Sequence, residues 1–590
     1  MWKIFRFMHR QDRGYAFLCL LLVAGQVWVD LTMPDFMSDI TRLIVTPGSA
    51  MADIWIAGGK MLLCALGSAA LSVIVGYFAA KLASNFSFTI RGQVFHQVTD
   101  FGAEEIKRFS TASLITRTTN DITQIQMLVA MGLQVMIKAP IMAVWAVLKI
   151  VGKNWQLSLL TAAAVVIIMT VILILMRLVL PKFRIVQQQI DDVNRVTREN
   201  LTGLRIVRAF NAEAYQEEKF GTANQNLMAT QLYTSRHMAV LMPVISLVMS
   251  GLSLAIYWFG ASLVNGIPVT GPAAIMERVD MFSEVVVFSS YAIYVIMSFM
   301  MMVMIFMMLP RAQVSAARIE EVLAAKPAVQ EGKGAEGTEK GSLSFRNVSF
   351  RYTDASEDCL QDISFEAHPG ETVAFIGATG SGKTTLVALA ARLYDATRGQ
   401  ILLDGKDIRD YTFDQLYSRI GYISQKAVLF SGTVAENLTF GDAGHPITEA
   451  DWKAALDIAQ ASDFVENLPG GQAASIAQGG TNLSGGQKQR MSIARAIARR
   501  PEILIFDDSF SALDYRTDAA LRKRLATDLA GTTCLIVAQR IGTIKHADRI
   551  VVLDEGRVVG TGTHAELMQN CDVYREIAMS QLSQSELEAK

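Results

Sequence analysis

Residues that could bind a nucleoside triphosphate lie between positions 377 and 384. The segment reads Gly-Ala-Thr-Gly-Ser-Gly-Lys-Thr, follows an apolar run that ends at Ile376, and precedes a helical pattern. Glycines let backbone N–H groups wrap phosphate oxygens, and the start of a helix favours an anion. The expected ATP-binding residues of this loop are Gly377, Ala378, Thr379, Gly380, Ser381, Gly382, Lys383, Thr384 and Thr385. We expect Lys383 to reach the β- and γ-phosphates and Thr384 to ligate Mg²⁺.

Two acids and an amide are the further residues that could act on a bound nucleoside triphosphate. Asp507 and Asp508 end the apolar run that starts at Ile503, and Gln539 follows a second apolar run about thirty residues later. The pattern predicts that Asp507 holds Mg²⁺, directly or through water, and that Asp508 lies beside the attacking water. Sites of this kind usually carry glutamate at the position of Asp508 and histidine at that of Gln539.

These two departures predict a site that binds ATP and cuts it poorly. Aspartate retracts its carboxylate by about 1.5 Å, one C–C bond, relative to glutamate. A misplacement of about 1 Å can cost about 10²-fold in rate. Gln539 has no titratable ring, and because both groups would act on one water, their losses should not simply add. The alternative is that Asp508 does the work of the glutamate with a rearranged water.

Before residue 310 the chain is that of a membrane protein. It has 590 residues, 51% of them hydrophobic, and a mean hydropathy of +0.30. Several uncharged stretches reach the roughly 20 residues that a helix needs to cross a bilayer. The clear ones are 61–80, 155–176, 239–264 and 285–309, and two less regular ones are 15–29 and 133–148. The sequence therefore predicts six transmembrane helices.

Basic residues predict the orientation of these helices. Lys and Arg are concentrated in the second and fourth connections, whereas the odd connections are short and poor in them. Both termini and the even connections are therefore expected in the cytoplasm, and residues 1–10 suit an interfacial helix. The long even connections keep helical spacing, so we expect the spans to project beyond the membrane, as contacts for a soluble domain or as solvated hairpins. A prokaryotic plasma (inner) membrane is the expected location.

The composition changes after residue 325. A Lys-Pro step and a polar, glycine-rich stretch predict a flexible linker, and strands then alternate with helices, which favours a largely parallel sheet. The predicted architecture is an α-helical membrane domain fused to an α/β P-loop ATPase domain. Its boundaries are 1–325 for the membrane domain, 326–341 for the linker and 342–580 for the nucleotide-binding domain.

The cysteines and the net charge argue against two other kinds of site. The five cysteines have no paired spacing, which favours neither disulfides nor zinc. The net charge of -1 gives no reason to expect nucleic acid.

Five motifs in order carry a family resemblance over nearly the whole chain. The phosphate loop, Gln425, the segment 483–487, Asp507 and the segment 511–514 resemble the nucleotide-binding domain of ABC transporters. With six preceding spans, the chain resembles a half-transporter of the exporter-fold class. Its altered acid and amide resemble the degenerate-site subunit of heterodimeric bacterial multidrug exporters.

The resemblance implies roles for further residues. Tyr352 resembles the aromatic that stacks on adenine, and Gln425 the residue that links Mg²⁺ to the transmembrane interface. Three residues resemble the signature that caps ATP held by the opposite subunit: Ser484, Gly485 and Gly486. Gln487 of the segment 483–487 and Asp514 of the segment 511–514 are further expected ATP-binding residues. The segment 477–480 resembles a loop that senses coupling helices, and 113–121 and 210–220 resemble parts of those coupling regions.

The resemblance also implies a partner and a transported class. Two copies of this chain would both carry Asp508 and Gln539, so a second, non-identical half-transporter with intact Glu and His is expected. The favoured activity is export of amphipathic small molecules, drugs or lipids, driven by ATP. A peptide or siderophore transporter and an ATP-gated channel or regulator stay open. Asp30 and Lys138 are candidate cavity residues, although Lys138 could equally be paired or snorkel. The methionines between Met297 and Met308 could line a cavity or face lipid.

Overall fold

The chain folds as two compact units. The computed structural model describes residues 4–46, 49–151, 153–268, 271–337 and 340–582. The first unit comprises the residues up to Thr99 together with Ala112–Ala325. The second comprises Asp100–Thr111 together with the residues from Lys326 onward. The short segment 100–111 therefore belongs to the second unit although the chain around it belongs to the first.

Long helices make up nearly all of the first unit. A single 3-10 turn, Ile4–Phe7, comes first. The helices that follow, up to the end of this unit, are α1 (Arg10–Val45), α2 (Met51–Thr99), α3 (Ala103–Phe109), α4 (Thr111–Thr116), α5 (Ile122–Val151), α6 (Trp155–Thr202), α7 (Leu204–Ala209), α8 (Glu213–Ala239), α9 (Leu241–Asn265) and α10 (Pro272–Ala324). Of these, α3 lies in the second unit. One π-helical turn, Arg117–Asp121, joins α4 to α5.

The six predicted membrane spans are confirmed. Among the described residues, six helical stretches are long and apolar enough to cross a bilayer. The second and fourth belong to helices of 49 and 48 residues. At 1.5 Å per residue each helix is about 70 Å long, against about 30 Å for the hydrocarbon core. The spans therefore continue as helices well beyond the apolar layer, as their sequence spacing predicts.

The second unit contains the predicted sheet and two antiparallel sheets that were not predicted. Its strands are β1 (Leu343–Phe350), β2 (Leu360–Ala367), β3 (Thr372–Gly377), β4 (Arg398–Leu403), β5 (Lys406–Asp407), β6 (Ile420–Ile423), β7 (Gly432–Thr433), β8 (Ser475–Ile476), β9 (Ile503–Asp507), β10 (Thr533–Val537), β11 (Arg549–Asp554) and β12 (Arg557–Gly562). The main sheet has the order β12-β11-β3-β10-β9-β6, parallel except for β12. One antiparallel sheet has the order β2-β1-β4-β5, and in the other β7 pairs with β8.

Helices pack on both faces of the main sheet. Besides α3, the helices of this unit are α11 (Lys383–Ala390), α12 (Phe413–Arg419), α13 (Val434–Leu438), α14 (Glu449–Ile458), α15 (Ser462–Glu466), α16 (Gly485–Ala498), α17 (Tyr515–Asp528), α18 (Ile541–Ile544), α19 (His564–Asn570) and α20 (Asp572–Gln581). In β9, Leu504 and Phe506 join one hydrophobic core while Ile503 and Ile505 join the other. A strand buried on both faces is apolar without alternation, which explains the continuous run before Asp507.

The polar segment before β1 is anchored, although its composition predicts a flexible linker. The N–H of Gly332 donates to the carbonyl of Tyr411 at 3.0 Å, and that of Gly334 donates to Asp410 at 2.9 Å. The buried guanidinium of Arg392 donates to the carbonyl of Gln330 at 2.6 Å. Composition indicates that the segment has little apolar surface to bury. It cannot show that backbone carbonyls and the Arg392 side chain elsewhere in the fold will bind the backbone of this segment.

Candidate functional site: a phosphate loop flanked by two acids

The phosphate loop lies between β3 and α11, as predicted. Two of its glycines have conformations and surroundings that exclude a side chain. At Gly377 (φ +158) a Cβ would lie 2.0 Å from the carbonyl oxygen of Leu553. At Gly382 (φ +96) it would lie 2.6 Å from a methyl carbon of Leu360. The loop is therefore compact, and Ala378, Thr379 and Gly380 form its exposed crest.

Lys383 begins α11 and points back into the loop. Its ammonium donates to the carbonyls of Gly377 at 2.9 Å and Ala378 at 2.7 Å, and to the hydroxyl of Ser381 at 3.2 Å. Burial lowers the pKa of Lys383, and the charge of Asp508 acts against that change. Anionic acceptors bind an ammonium more strongly than neutral ones, so triphosphate oxygens can replace these carbonyls.

Asp507 is held between two hydroxyl groups. The Oδ1 atom accepts a hydrogen bond from Thr384 at 2.9 Å, and Oδ2 accepts one from Tyr422 at 3.2 Å. The residue is only 2% exposed. Burial raises the pKa of Asp507, while the hydrogen bonds from Thr384 and Tyr422 act against that rise. The sequence predicted that Thr384 and Asp507 act together, and the structure brings them together.

Asp508 is held by two amides. Its Oδ2 atom accepts from Gln539 Nε2 at 2.7 Å and from Gln425 Nε2 at 3.2 Å. Burial raises the pKa of Asp508, and the bonds from Gln425 and Gln539 act against that rise. The backbone of Asp508 is left-handed (φ +47), and its N–H donates to the carbonyl of Val537 at 3.1 Å. Asp508 and Gln539, which the sequence predicts to be altered, are therefore direct neighbours, and Gln425 is the third member of their cluster.

The strand order explains how these residues meet. In the sheet, β9 lies between β10 and β6. Asp507 pairs with Val537 of β10, and Phe506 pairs with Ile423 of β6. Residues just past the carboxyl ends of all three strands therefore gather at one edge of the sheet, where open α/β sheets bind ligands.

Tyr352 lies in an aromatic group beside the loop. Its ring contacts Phe350 and Tyr394 edge to face, with centroids 4.8 Å and 5.5 Å away. Its hydroxyl is 2.9 Å from the hydroxyl of Thr385 on α11. Tyr352 is thereby fixed to the helix that follows the phosphate loop.

Helix α3 contacts the same aromatic residue. The ammonium of Lys107 lies 5.0 Å from the centroid of the Tyr352 ring and 2.9 Å from a carboxylate oxygen of Asp354. Glu104 also bonds to Thr353. Sequence reasoning did not identify α3. The segments 113–121 and 210–220, which are expected to be parts of coupling regions, lie in the first unit, and their role stays a prediction. The acidic start and basic end of α3 are common in helices, so this signal was weak.

The signature residues Ser484, Gly485 and Gly486 lie with Gln487 at the start of α16. Ser484 caps α16, because its Oγ accepts from the N–H of Gln487 at 3.3 Å while its N–H donates to Gln487 Oε1 at 2.8 Å. Asp514 caps α17 by accepting from the N–H of Thr517 at 3.0 Å. Ser484, Gly485 and Asp514 are exposed, and Gly486 is half-buried. Among the described hydrogen bonds, none joins these residues to the phosphate loop.

The segment 477–480 is a short glycine turn. The N–H of Gly479 donates to Leu429 at 3.1 Å, and both Gly479 and Gly480 have positive φ angles. Nothing in this arrangement gives the turn a ligand of its own. Its role as a sensor of coupling helices stays a prediction.

Asp30 and Lys138 form an ion pair within the helices of the first unit. Lys138 Nζ lies 3.0 Å from Asp30 Oδ2, and Ser68 donates to the other carboxylate oxygen. Asp30 is 8% exposed. Of the alternatives for Lys138, the structure shows pairing.

The methionines of the last span have different surroundings. Met300 packs against the helical core, whereas Met297 and Met304 are exposed. The Met307 side chain lies outside the described part of the chain.

We expect Lys138→Met to destabilise the first unit by about 3 kcal/mol, because it leaves a buried carboxylate without its counter-ion. The double variant Asp30→Asn, Lys138→Met should recover most of that loss. Thermal unfolding of the protein in lipid nanodiscs measures both changes. A single variant as stable as the wild type would contradict the prediction.

Comparisons with known proteins show which family the chain belongs to. Residues 360–511 match the ABC transporter family, and residues 16–276 match the ABC transporter transmembrane region. An uncharacterized ABC transporter ATP-binding protein of Mycobacterium tuberculosis is 38% identical over 547 residues, covering 92% of this chain and 90% of that protein. Another from Bacillus subtilis is 34% identical over 570 residues, 96% of each chain. An ATP-dependent lipid A-core flippase of Pseudomonas putida is 32% identical over 509 residues, 84% of this chain and 80% of that protein.

A solved structure shares the fold. The structure of a bacterial Atm1-family ABC exporter with ATP bound superposes on this chain with a TM-score of 0.76 at 22% sequence identity. The match covers 98% of this chain and 99% of the exporter chain. The helices before residue 325 and the α/β unit after it both have counterparts there. The chain belongs to the ABC transporters, as a multi-pass plasma-membrane protein of the exporter fold whose cytoplasmic ATPase domain couples ATP hydrolysis to transport.

Proposed function

We propose that this chain is one half of a heterodimeric exporter of amphipathic small molecules, drugs or lipids, and that its own phosphate loop retains ATP while hydrolysing it poorly. The observation that supports this best is the cluster around Asp508. A general base must reach the proton of the attacking water. Here one carboxylate oxygen of the shortened acid already accepts two amide hydrogens, one of them from Gln539 at 2.7 Å.

The residues around the loop suit Mg²⁺ as well as ATP. Mg²⁺ in nucleotide sites uses one or two carboxylates together with phosphate oxygens and water. Thr384 and Asp507 supply a hydroxyl and a carboxylate 2.9 Å apart. Within the described residues, no group of three or more His, Cys, Asp or Glu side chains offers a metal site made by protein alone. Thr384 and Asp507 would hold the ion, with Gln425 close by, and the ion would neutralise phosphate charge.

The amide of Gln539 keeps Asp508 in place but adds no proton-transfer group. A histidine at this position has a ring that can hold or release a proton near neutral pH, which an amide cannot do. Tight binding needs only the loop, Lys383 and the metal ligands, all of which are present. The site therefore retains the parts that bind ATP and has altered the parts that activate water.

A non-identical partner subunit would restore a site that hydrolyses ATP. The exposed Ser484, Gly485 and Gly486 at the start of α16 offer backbone N–H groups to an anion. If they cap ATP on the phosphate loop of a partner with Glu and His, that composite site is complete. Two copies of this chain would contain Asp508 and Gln539 twice. The partner is identified by purifying the tagged chain from its source membranes and sequencing the half-transporter that co-purifies.

The proposed substrate class is inferred from the apolar composition of the membrane domain and from the activity named for one relative. The Pseudomonas putida relative is a lipid A-core flippase, and the spans of this chain are apolar with few charges. ATP-dependent accumulation of a fluorescent lipid or cationic dye in inside-out vesicles would support export. Conductance in planar bilayers without accumulation would favour an ATP-gated channel instead.

Lys383→Ala in the purified heterodimer should weaken ATP retention about 10- to 100-fold, the equivalent of losing a charged hydrogen bond worth about 1.5–3 kcal/mol. Turnover should fall less, because hydrolysis occurs at the partner's loop. Retention is measured as labelled ATP remaining after rapid desalting, and turnover as phosphate release. The exposed Lys453, whose side chain is 60% exposed, gives the matched control Lys453→Ala. Equal losses of retention and turnover in Lys383→Ala would contradict the asymmetry.

A further inference from the structure

Asp507 has one hydrogen-bond donor that no sequence motif predicts. Thr384 donates to Oδ1, and this is the side on which the metal would bind. On the other side, the phenol of Tyr422 donates to Oδ2 at 3.2 Å. With Asp507 2% exposed, bulk water has little access to replace this donor.

Tyr422 reaches Asp507 because of the strand register. It lies on β6 opposite Ile505 of β9, two residues before Asp507. Three residues after Tyr422, Gln425 donates to Asp508. One short segment, 422–425, therefore supplies one donor to each of the two acids.

The donor limits how the carboxylate can turn. The terminal torsion of an aspartate is broad, so a carboxylate fixed at one oxygen can rotate about its last bond. A second bond to the other oxygen fixes its plane. Tyr422 therefore both satisfies Oδ2 and directs Oδ1 toward Thr384.

We propose that Tyr422 is a positioning residue of the Mg²⁺ site, and that it holds Asp507 in the orientation that binds the ion. The inference rests on the Mg²⁺ site in the proposed function. Tyr422 acts through Asp507 and does not contact the ion.

A second tyrosine provides the matched control. Tyr417 is also half-buried beside the same hydrophobic core, and its hydroxyl lies 3.5 Å from the carbonyl oxygen of Arg392. That oxygen belongs to the backbone and not to an acid. Removing either hydroxyl leaves the ring in place, so the two variants differ mainly in which oxygen loses its donor.

The experiment compares Tyr422→Phe and Tyr417→Phe with the wild type, as full-length chains in nanodiscs. Mn²⁺ is the probe, and its affinity is measured by electron paramagnetic resonance with a non-hydrolysable ATP analogue present. Nucleotide affinity in EDTA and thermal unfolding in EDTA are measured on the same samples. Loss of a group that orients a metal ligand typically costs about 10- to 100-fold in metal affinity.

We expect Tyr422→Phe to weaken Mn²⁺ binding at least about tenfold, with metal-free nucleotide affinity and unfolding close to those of the wild type. Tyr417→Phe should leave all three unchanged. Unchanged Mn²⁺ affinity in Tyr422→Phe would overturn the role of Tyr422 alone. Equal loss of metal-free nucleotide binding, or early unfolding, would show that the phenol is only structural. If the wild type bound no Mn²⁺ with nucleotide, the proposed metal site would be wrong as well.

Discussion

Ser484→Arg should reduce ATP turnover of the assembled transporter by at least about 100-fold, the loss that a misplacement near 1 Å can cause. The arginine would cover the exposed N-terminus of α16 and remove the bond between Ser484 Oγ and the N–H of Gln487. That helix start would cap the ATP that the partner hydrolyses. ATP held on this chain's own loop should stay bound. Phosphate release and nucleotide retention, measured on one preparation, test both statements.

Thr563 offers a closely matched control. It caps α19 with the same two bonds, N–H to Glu566 Oε2 at 2.8 Å and Glu566 N–H to Thr563 Oγ1 at 3.4 Å. Thr563→Arg therefore disrupts an equivalent cap outside the site, and it should retain turnover. If both variants lost turnover equally, the effect would come from damage to the fold and not from the signature.

The double variant Asp508→Glu, Gln539→His should raise the ATPase rate of this chain alone by about 100-fold, the reverse of the cost expected from the short acid. This chain has an intact signature, so two restored copies would contain every group of a complete site. Each single variant should gain much less, because both groups act on one water and their effects are coupled. In Asp508→Glu alone, the amide of Gln539 would still bind the acid.

The measurement is phosphate release by the dimeric fraction of the purified chain in nanodiscs. Lys383→Ala added to the double variant should abolish the gained activity, which assigns it to this phosphate loop. A wild-type chain that already hydrolysed ATP rapidly by itself, with matching transport, would refute the division of labour. So would single variants that were each as active as the double.

The phosphate loop was predictable from sequence because its function is local. Gly377, Gly382 and Lys383 act within one loop of eight residues, so their spacing along the chain carries most of the geometry. The six spans were predictable for a similar reason. Solvation by the bilayer depends on the average apolarity of about 20 consecutive residues, which a single sequence displays directly.

The cluster around Asp508 was only partly predictable. The sequence identified Asp508 and Gln539 as altered and assigned Gln425 to the Mg²⁺ side. It could not show that both amides bind the same carboxylate oxygen. That depends on β9 lying between β10 and β6, since a strand order is set by packing between distant segments.

Other features were missed because their residue types are ordinary. Tyr422 is one aromatic in a β-strand, and its hydroxyl acquires meaning only through the neighbouring Asp507. The four-stranded antiparallel sheet depends on backbone hydrogen bonds between its strands. The segment before it is anchored through its own backbone groups. Backbone groups are the same in every residue, so they leave little trace in the composition.

The sequence by itself determined that this protein crosses a membrane six times, has a glycine-rich loop of the type that binds ATP, and carries an aspartate and a glutamine where such sites usually have glutamate and histidine. These properties depend on residue type and on short spacing. The tertiary structure decided which donors the two acids receive, because parallel strands bring residues from three distant segments to one edge of the sheet. It also placed α3 against the ring of Tyr352, a contact between residues about 250 positions apart in the chain that no local pattern encodes.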